Sequence, residues 1–209
     1  MAQPQWTKLN REQAQRVLRL LGSHKGAIVF SQELTGVSWR GLPFYTDYRL
    51  YRLVNYATMP TFTMTYLSNG SEYISLDGTA NPIYTVNEKD PLRLDDLNVI
   101  PYLEFFFSYV QGSEGDVSLI KDPHEMSFMS DMDSAQQQSV VNSFKPLRIL
   151  SSTTKKPYKM SGTLYYGGAL ITSTILITRD GKISFQDQSL LLSGISFPES
   201  PYRQAWIEG

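Results

Sequence analysis

Few residues in this sequence belong to the types that carry enzyme chemistry. The chain of 209 residues has no cysteine and only two histidines, His24 and His124. The lack of cysteine excludes disulfides, thiol nucleophiles, iron–sulfur clusters and zinc sites with thiolate ligands. His24 follows the end of a predicted helix and His124 lies in a polar segment, so we interpret both as surface groups. No G-x-S-x-G nucleophile elbow is present, although a Ser–His–Asp triad from distant positions stays open.

The carboxylates cluster at three places, and each cluster has a structural explanation. Adjacent acids before a predicted helix complement the positive end of its dipole. The DMDS sequence that starts at Asp131 begins like a calcium loop but lacks the glycine and the distal glutamate. We therefore predict no catalytic residue, no metal and no cofactor. The clusters are Asp95 with Asp96, Glu114 with Asp116, and Asp131 with Asp133.

The sequence YRLYRLVNY interleaves arginine with tyrosine and is the candidate ligand or partner surface. Its aromatic and β-branched residues favour a strand, although the spacing of its tyrosines also fits a helix. On a sheet, such residues could stack bases or clamp an anionic ligand. We favour the alternative of cross-strand packing on a half-exposed face. The candidate residues are Tyr48, Arg49, Tyr51, Arg52 and Tyr56.

The elements that must position this surface include one very apolar helix, predicted from Val99 to Gln111. It is apolar on nearly every side, which predicts burial on more than one face. We expect its rings to fill the core; the alternative is that they line a pocket for a small apolar ligand. The predicted buried residues of this central helix are Tyr102, Leu103, Phe106 and Val110.

The N-terminal half predicts a second helix and a meander of strands. Asn10 can cap a helix that ends near Leu21. A strand at Ala27–Phe30 and a loop with Gly36, Gly41 and Pro43 follow. The strongest turn signal is Asn69-Gly70, which predicts a tight hairpin. Residues 82–86 are predicted as a further strand with Pro82 confined to its start.

The C-terminal half also predicts an antiparallel meander. A short strand at residues 117–120 precedes a candidate mobile loop, residues 122–144, that contains a short helix at 135–142. Strands follow at 146–151, 158–166 and 169–178, and Asp180-Gly181 turns into a last strand. The strand 169–178 has isoleucines on one side and Thr172, Thr174 and Thr178 on the other. This alternation predicts one dry and one wet face.

These elements together predict a single α+β domain over residues 1–209. We expect a curved, mainly antiparallel sheet packed on the buried central helix and on the N-terminal amphipathic helix. A cystatin-like or NTF2-like cone is an analogy from element order alone.

The composition and net charge of the chain indicate which classes of partner it can bind. A net charge of −1 and a pI near 6.1 give no field that would attract nucleic acid or an acidic membrane. The N-terminus has no apolar segment of a signal peptide, and no stretch is apolar enough to span a membrane, so we expect a cytoplasmic protein. The 13 tyrosines and 10 phenylalanines are typical of contact surfaces.

Two functional hypotheses follow. The first is a non-enzymatic binding or assembly module that acts through a Tyr/Thr-rich sheet surface. The alternative is a cone that binds a small apolar ligand, with weak acid–base chemistry by an Asp, Glu or Tyr at its mouth. For the first, we expect a protein partner or a homodimer formed through a sheet face or edge, because the uncharged strand 169–178 needs cover or a central position.

Overall fold

The computed structural model describes residues 5–22, 29–113, 115–153 and 156–194. These residues form four α-helices and ten strands in two antiparallel sheets, which confirms the α+β class. By backbone contacts the chain divides into two compact units, one up to Arg93 and one from Leu94 onward. The strands are thus shared between two sheets rather than forming one, and the cone analogy is not confirmed. Whether the chain unfolds as a single domain stays a prediction.

The sheet of the first unit has the strand order β1-β2-β3-β4-β5. It is a simple antiparallel meander, so each strand pairs with its neighbour in sequence. The segment predicted as a loop around Gly36 is a strand, because Val37 and Trp39 alternate with polar residues in a period of two. The strands are β1 (Thr7–Lys8), β2 (Thr35–Gly41), β3 (Arg49–Asn55), β4 (Phe62–Ser68) and β5 (Tyr73–Ser75).

Helix α1 (Arg11–Leu21) covers one face of this sheet. Asn10 caps it through a reciprocal capping box with Gln13, as predicted. Its apolar stripe is buried in one cluster with the sheet residues Val37, Leu53 and Tyr66. Tertiary burial of this stripe, more than propensity, holds so short a helix.

The predicted hairpin at Asn69-Gly70 joins β4 to β5, and Ser68 pairs with Tyr73. Only Gly70 has a positive φ, of 93°. The Asn69 side chain instead accepts hydrogen bonds from the backbone of Ser71 and Glu72. The loop is therefore a four-residue connection built on an asparagine turn rather than a two-residue primed turn.

The strand predicted at residues 82–86 is wrong, because this segment forms helix α2 (Asn81–Lys89). Pro82 lies in the first turn of the helix, where the missing N–H costs no intrahelical hydrogen bond. The same proline would be compatible with the start of a strand, so the local signal is ambiguous.

The sheet of the second unit has the order β10-β9-β8-β6, and β7 also pairs with β8. Asp180-Gly181 lies in the turn that joins β9 to β10, as predicted, with Gly181 at φ 85°. Two register shifts interrupt the pairing of β10 with β9. The strands are β6 (Val117–Leu119), β7 (Arg148–Thr153), β8 (Lys156–Tyr166), β9 (Ala169–Ile177) and β10 (Ile183–Ser193).

Strand β9 lies between β8 and β10, so it needs no second chain to cover it. The prediction of a wet threonine face is wrong, because Thr172 and Thr174 are both buried. Their hydroxyls share this face with Leu170, which belongs to an apolar cluster with residues of the 122–144 segment. The 122–144 segment therefore covers part of the β9 face that the alternation of threonine and isoleucine predicts to be polar and solvent-exposed.

The 122–144 segment is mostly helical. It contains two short 3₁₀ helices, Pro123–Glu125 and Ser127–Asp131, and helix α4 (Ser134–Ser143). Asp133 caps α4 through a second capping box. The buried residues of the 122–144 segment, Phe128, Met129 and Val140, pack with Leu170 of the sheet.

The central helix is α3 (Val99–Tyr109). The Tyr102 hydroxyl donates a 2.8 Å hydrogen bond to the carbonyl of Gly181, and the Phe107 ring stacks on Phe185. The helix ends two residues before the predicted boundary. Val110 is therefore its C-cap residue, with extended backbone and a half-buried side chain.

Some predictions fall on residues that the structure does not describe. The candidates His24 and Glu114 and part of the predicted strand at Ala27–Phe30 lie outside the described residues. The described part of that strand, Val29 and Phe30, is not in a strand. Within the described ranges, no helix has the length and apolar character to cross a membrane.

Candidate functional site

One face of the three neighbouring strands β1, β2 and β3 gathers aromatic and cationic side chains. In an antiparallel pair, residues directly opposite each other point to the same face. Lys8 is opposite Ser38, Ser38 is opposite Arg52, and Gly36 is opposite Val54. With the period of two along each strand, these pairs define what we name the Trp6 face. It consists of Trp6, Lys8, Gly36, Ser38, Arg40, Leu50, Arg52, Val54 and Tyr56; of these, Leu50 lies opposite Arg40 and is fully buried.

Two arginines of the Trp6 face pack on one indole. The guanidinium carbon of Arg52 lies 4.4 Å from the centre of the Trp6 ring, and that of Arg40 lies 5.0 Å from it. Both distances are within the range of a cation–π interaction. All three side chains are half-buried, so the cluster lies at the protein surface.

These two guanidinium groups have no counter-charge within the part of the chain that is described. The Nε atoms of Arg40 and Arg52 are both buried and without a hydrogen-bond acceptor there. The ion pairs seen in the same residues join other groups: Lys89 with Glu72, Lys121 with Glu104, and Lys182 with Asp180. Because arginine is always protonated, two positive charges converge on Trp6 with no opposite charge paired to them among the described residues.

The opposite face of the same strands carries a second, separate pair. The Arg49 guanidinium carbon lies 4.5 Å from the centre of the Trp39 ring. Next to it, Tyr51 makes an edge contact with Tyr73, and this part of the face belongs to the cluster under α1. Burial raises the pKa of the Tyr51 hydroxyl, and the nearby Arg49 charge partly opposes the shift.

The predicted Tyr/Arg surface is thus distributed over both faces of β3. Arg52 and Tyr56 lie on the Trp6 face, whereas Arg49 and Tyr51 lie on the other. Tyr56 is 59% exposed, and its ring lies so close to Gly36 that a Cβ there would come within 2.9 Å of it. Alternation in a strand forces this division, because neighbouring side chains point in opposite directions.

Tyr48, the fifth candidate, is buried and serves the fold. Its hydroxyl donates to the Glu72 carboxylate, which also accepts from Lys89. Burial, followed by the hydrogen bond to Glu72, raises the pKa of Tyr48. The hydrogen bonds from Lys89 and then from Tyr48 lower the pKa of Glu72. These three groups tie the start of β3 to the β4–β5 loop and to α2.

A buried carboxylate shapes the entry into β3. One oxygen of Asp90 accepts hydrogen bonds from the backbone N–H groups of Thr46, Asp47 and Tyr48, at 2.9, 2.8 and 3.2 Å. Three donors on a single oxygen fix the loop that leads into the strand. Because this loop sets where β3 begins, Asp90 contributes to the position of Arg52.

The central helix contributes core rather than surface. Tyr102 and Leu103 are fully buried, and Phe106 is 6% exposed. Its alternative role, lining a pocket for an apolar ligand, stays a prediction.

Two more of the acidic candidates, Asp95 and Asp133, accept backbone hydrogen bonds at the starts of helices. Asp95 accepts from the backbone of Leu97 and Asn98 at the start of α3, and Asp133 caps α4. His124 is exposed. Among the described residues, no three or more histidine or acidic side chains are grouped as a metal would require.

The most distinctive residues of the Trp6 face were not found from the sequence. Trp6 and Arg40 lie in segments that read as a polar N-terminus and a glycine-containing loop. Two signals could have found them: the alternation V-S-W-R around Trp39, and the W-T-K alternation that puts Trp6 and Lys8 on one side.

Comparison of the chain with protein-family models, curated protein sequences and solved structures found no match.

Proposed function

We propose that the protein is a non-enzymatic binding module that contacts a protein partner through the Trp6 face. The observation that carries this proposal is the convergence of Arg40 and Arg52 on Trp6 without a counter-charge among the described residues. Tryptophan, tyrosine and arginine are the residues that most often dominate binding energy at protein interfaces. All three types lie together here at the surface.

The arrangement suits binding better than catalysis. An active site needs a nucleophile or a general base within hydrogen-bond reach of a reacting group. The Trp6 face carries hydroxyls on Ser38 and Tyr56, but its charged side chains, Lys8, Arg40 and Arg52, are all cationic. Guanidinium groups at the surface instead offer fixed donors to a ligand.

Affinity purification with matched variants tests the proposal. The tagged protein is expressed in its own host as the wild type, as the pair Arg40→Gln/Arg52→Gln, and as the control pair Arg11→Gln/Arg19→Gln. Both pairs remove two positive charges, but Arg11 and Arg19 are exposed on α1. We expect a protein that binds the wild type and the control pair and is lost from the Trp6-face pair. The same bound proteins in all three samples would contradict the proposal.

Self-association through strand β10 is a second candidate function. In the described part of the chain, β10 is an edge strand of its sheet. Its eleven residues include no lysine, arginine or proline. Leu190 on this strand is 65% exposed. Such an edge can pair with a second chain, although the two register shifts along it weaken this tendency.

Light scattering on dilute protein tests the dimer. A dimer mass that becomes a monomer mass in Leu190→Lys would support pairing through β10. A monomer mass across the micromolar range would contradict it. Thr174→Lys is not a suitable probe, because Thr174 is buried in the sheet and lysine there would disturb folding.

A further inference from the structure

We infer that the ligand of the Trp6 face is an acidic segment of a protein, with its carboxylates placed against Arg40 and Arg52. This inference rests on the proposed function and names the chemistry of the partner. It follows from the positive charge of the Trp6 face, from the geometry of its guanidinium donors and from the residues that continue the face along β3.

The charge of the cluster favours an anion. Both guanidinium groups lie within 5.0 Å of one ring centre, so their like charges repel each other. Lys8 adds a third positive charge on the same face, opposite Ser38. A carboxylate bound at either guanidinium group would offset part of this repulsion.

The geometry of the donors favours carboxylates. Each guanidinium is planar and presents its N–H groups in a fixed fork that matches a carboxylate in two parallel hydrogen bonds. Both guanidinium groups lie over the Trp6 ring, and this contact restrains the two side chains before binding.

The neighbouring residues suit a peptide. Val54 and Tyr56 continue the same face along β3 and beyond its end, and Tyr56 lies about 13 Å from Arg52 at the rise of an extended chain. An extended peptide that places a carboxylate on Arg52 can therefore place an apolar side chain near Tyr56.

Nucleic acid fits this surface less well. The protein carries a net charge of −1, so no general field attracts a phosphate backbone. Stacking of a base also needs a free aromatic face, and the Trp6 ring already carries two guanidinium groups. An acidic peptide needs only the local cations.

Fluorescence anisotropy with defined probes tests the inference on the full chain. The probes are fluorescein-labelled octaglutamate, octaserine and an eight-nucleotide thymidine strand. They are titrated with the wild type, with the pair Arg40→Gln/Arg52→Gln and with the control pair Arg11→Gln/Arg19→Gln. A third pair, Arg40→Lys/Arg52→Lys, keeps the charges but removes the planar forks, and circular dichroism verifies that every variant is folded.

We expect octaglutamate to bind the wild type and the control pair equally, and the Trp6-face glutamine pair about tenfold more weakly or worse. The lysine pair should fall between them, and octaserine should not bind. Equal binding to all variants, absence of octaglutamate binding to folded wild type, or tighter binding of the thymidine strand would overturn the inference. The proposed function would survive such a result if the host partner were still lost from the glutamine pair.

Discussion

The guanidinium group of Arg52 lies over the indole of Trp6, with 4.4 Å between its carbon and the ring centre. The contact joins β3 to the residue before β1, and Arg40 of β2 joins it from the strand between. A cation–π contact contributes about 0.5–1 kcal/mol at an exposed site. The second guanidinium adds repulsion that the described residues do not offset, so the cluster is poorly suited to a purely structural role.

Removing one of the two charges should therefore cost little stability. We expect Arg40→Gln to change the free energy of unfolding by less than about 1 kcal/mol, because the lost cation–π contact is offset by relief of repulsion. The matched control is Arg49→Gln, which removes the one guanidinium that lies over Trp39 among the described residues. Urea unfolding should show the smaller loss for Arg40→Gln. A larger loss there than in Arg49→Gln would mean that Arg40 is held for stability.

Asp90 should be far more important for stability than its position in a loop suggests. Asp90→Ala leaves three backbone donors of residues 46–48 without their acceptor. We expect a loss of about 3–5 kcal/mol, since each hydrogen bond to a charged group contributes about 1.5–3 kcal/mol and the three share one oxygen. Asp90→Asn keeps an oxygen acceptor and should lose less. Urea unfolding measures both, and equal small losses would show that the loop finds other acceptors.

The Glu72 carboxylate should stabilise the fold only above the acid range. Its pKa is lowered in the folded state by hydrogen bonds from Lys89 and Tyr48. A lowered pKa gives stability that is present above the unfolded pKa, about 4.3, and is lost as the pH falls through the folded pKa. The advantage of the wild type over Glu72→Gln should hold near pH 7 and shrink as the pH falls below about 4. Urea unfolding at several pH values measures it, and a difference independent of pH would contradict the assignment.

Local signals were enough to predict part of this fold. The cap at Asn10 and the turn at Gly181 follow from a few adjacent residues. Pro82 was ambiguous, because proline begins helices and strands alike. The Trp6 face needs the long-range register of three strands, one of them only two residues long, and no local pattern fixes that pairing.

The central helix should carry much of the stability of the second unit. Phe106 is 6% exposed and contacts the rings of Tyr102 and Phe107. We expect Phe106→Ala to cost about 3–5 kcal/mol, as large truncations in a core do. Urea unfolding followed by circular dichroism measures the loss. A value below about 1 kcal/mol would show that this helix does not organise its unit.

The same variant tests the prediction of a single domain. In a Trp206→Phe background the remaining tryptophans are Trp6 and Trp39, both in the first unit. If the chain unfolds as one cooperative domain, Phe106→Ala should shift the unfolding midpoint reported by their fluorescence. An unchanged fluorescence midpoint beside a shifted circular dichroism signal would mean that the two units unfold independently.

Site-specific photo-crosslinking in the host tests the Trp6 face as a contact surface most directly. p-Benzoylphenylalanine in place of Tyr56 puts a photoreactive ring on this face, at a position 59% exposed. The same residue in place of Leu20, 43% exposed on α1, is the control. The account predicts a crosslinked protein from position 56 that is missing from position 20 and disappears with Arg40→Gln/Arg52→Gln. No crosslink from position 56, or the same crosslink from both positions, would contradict it.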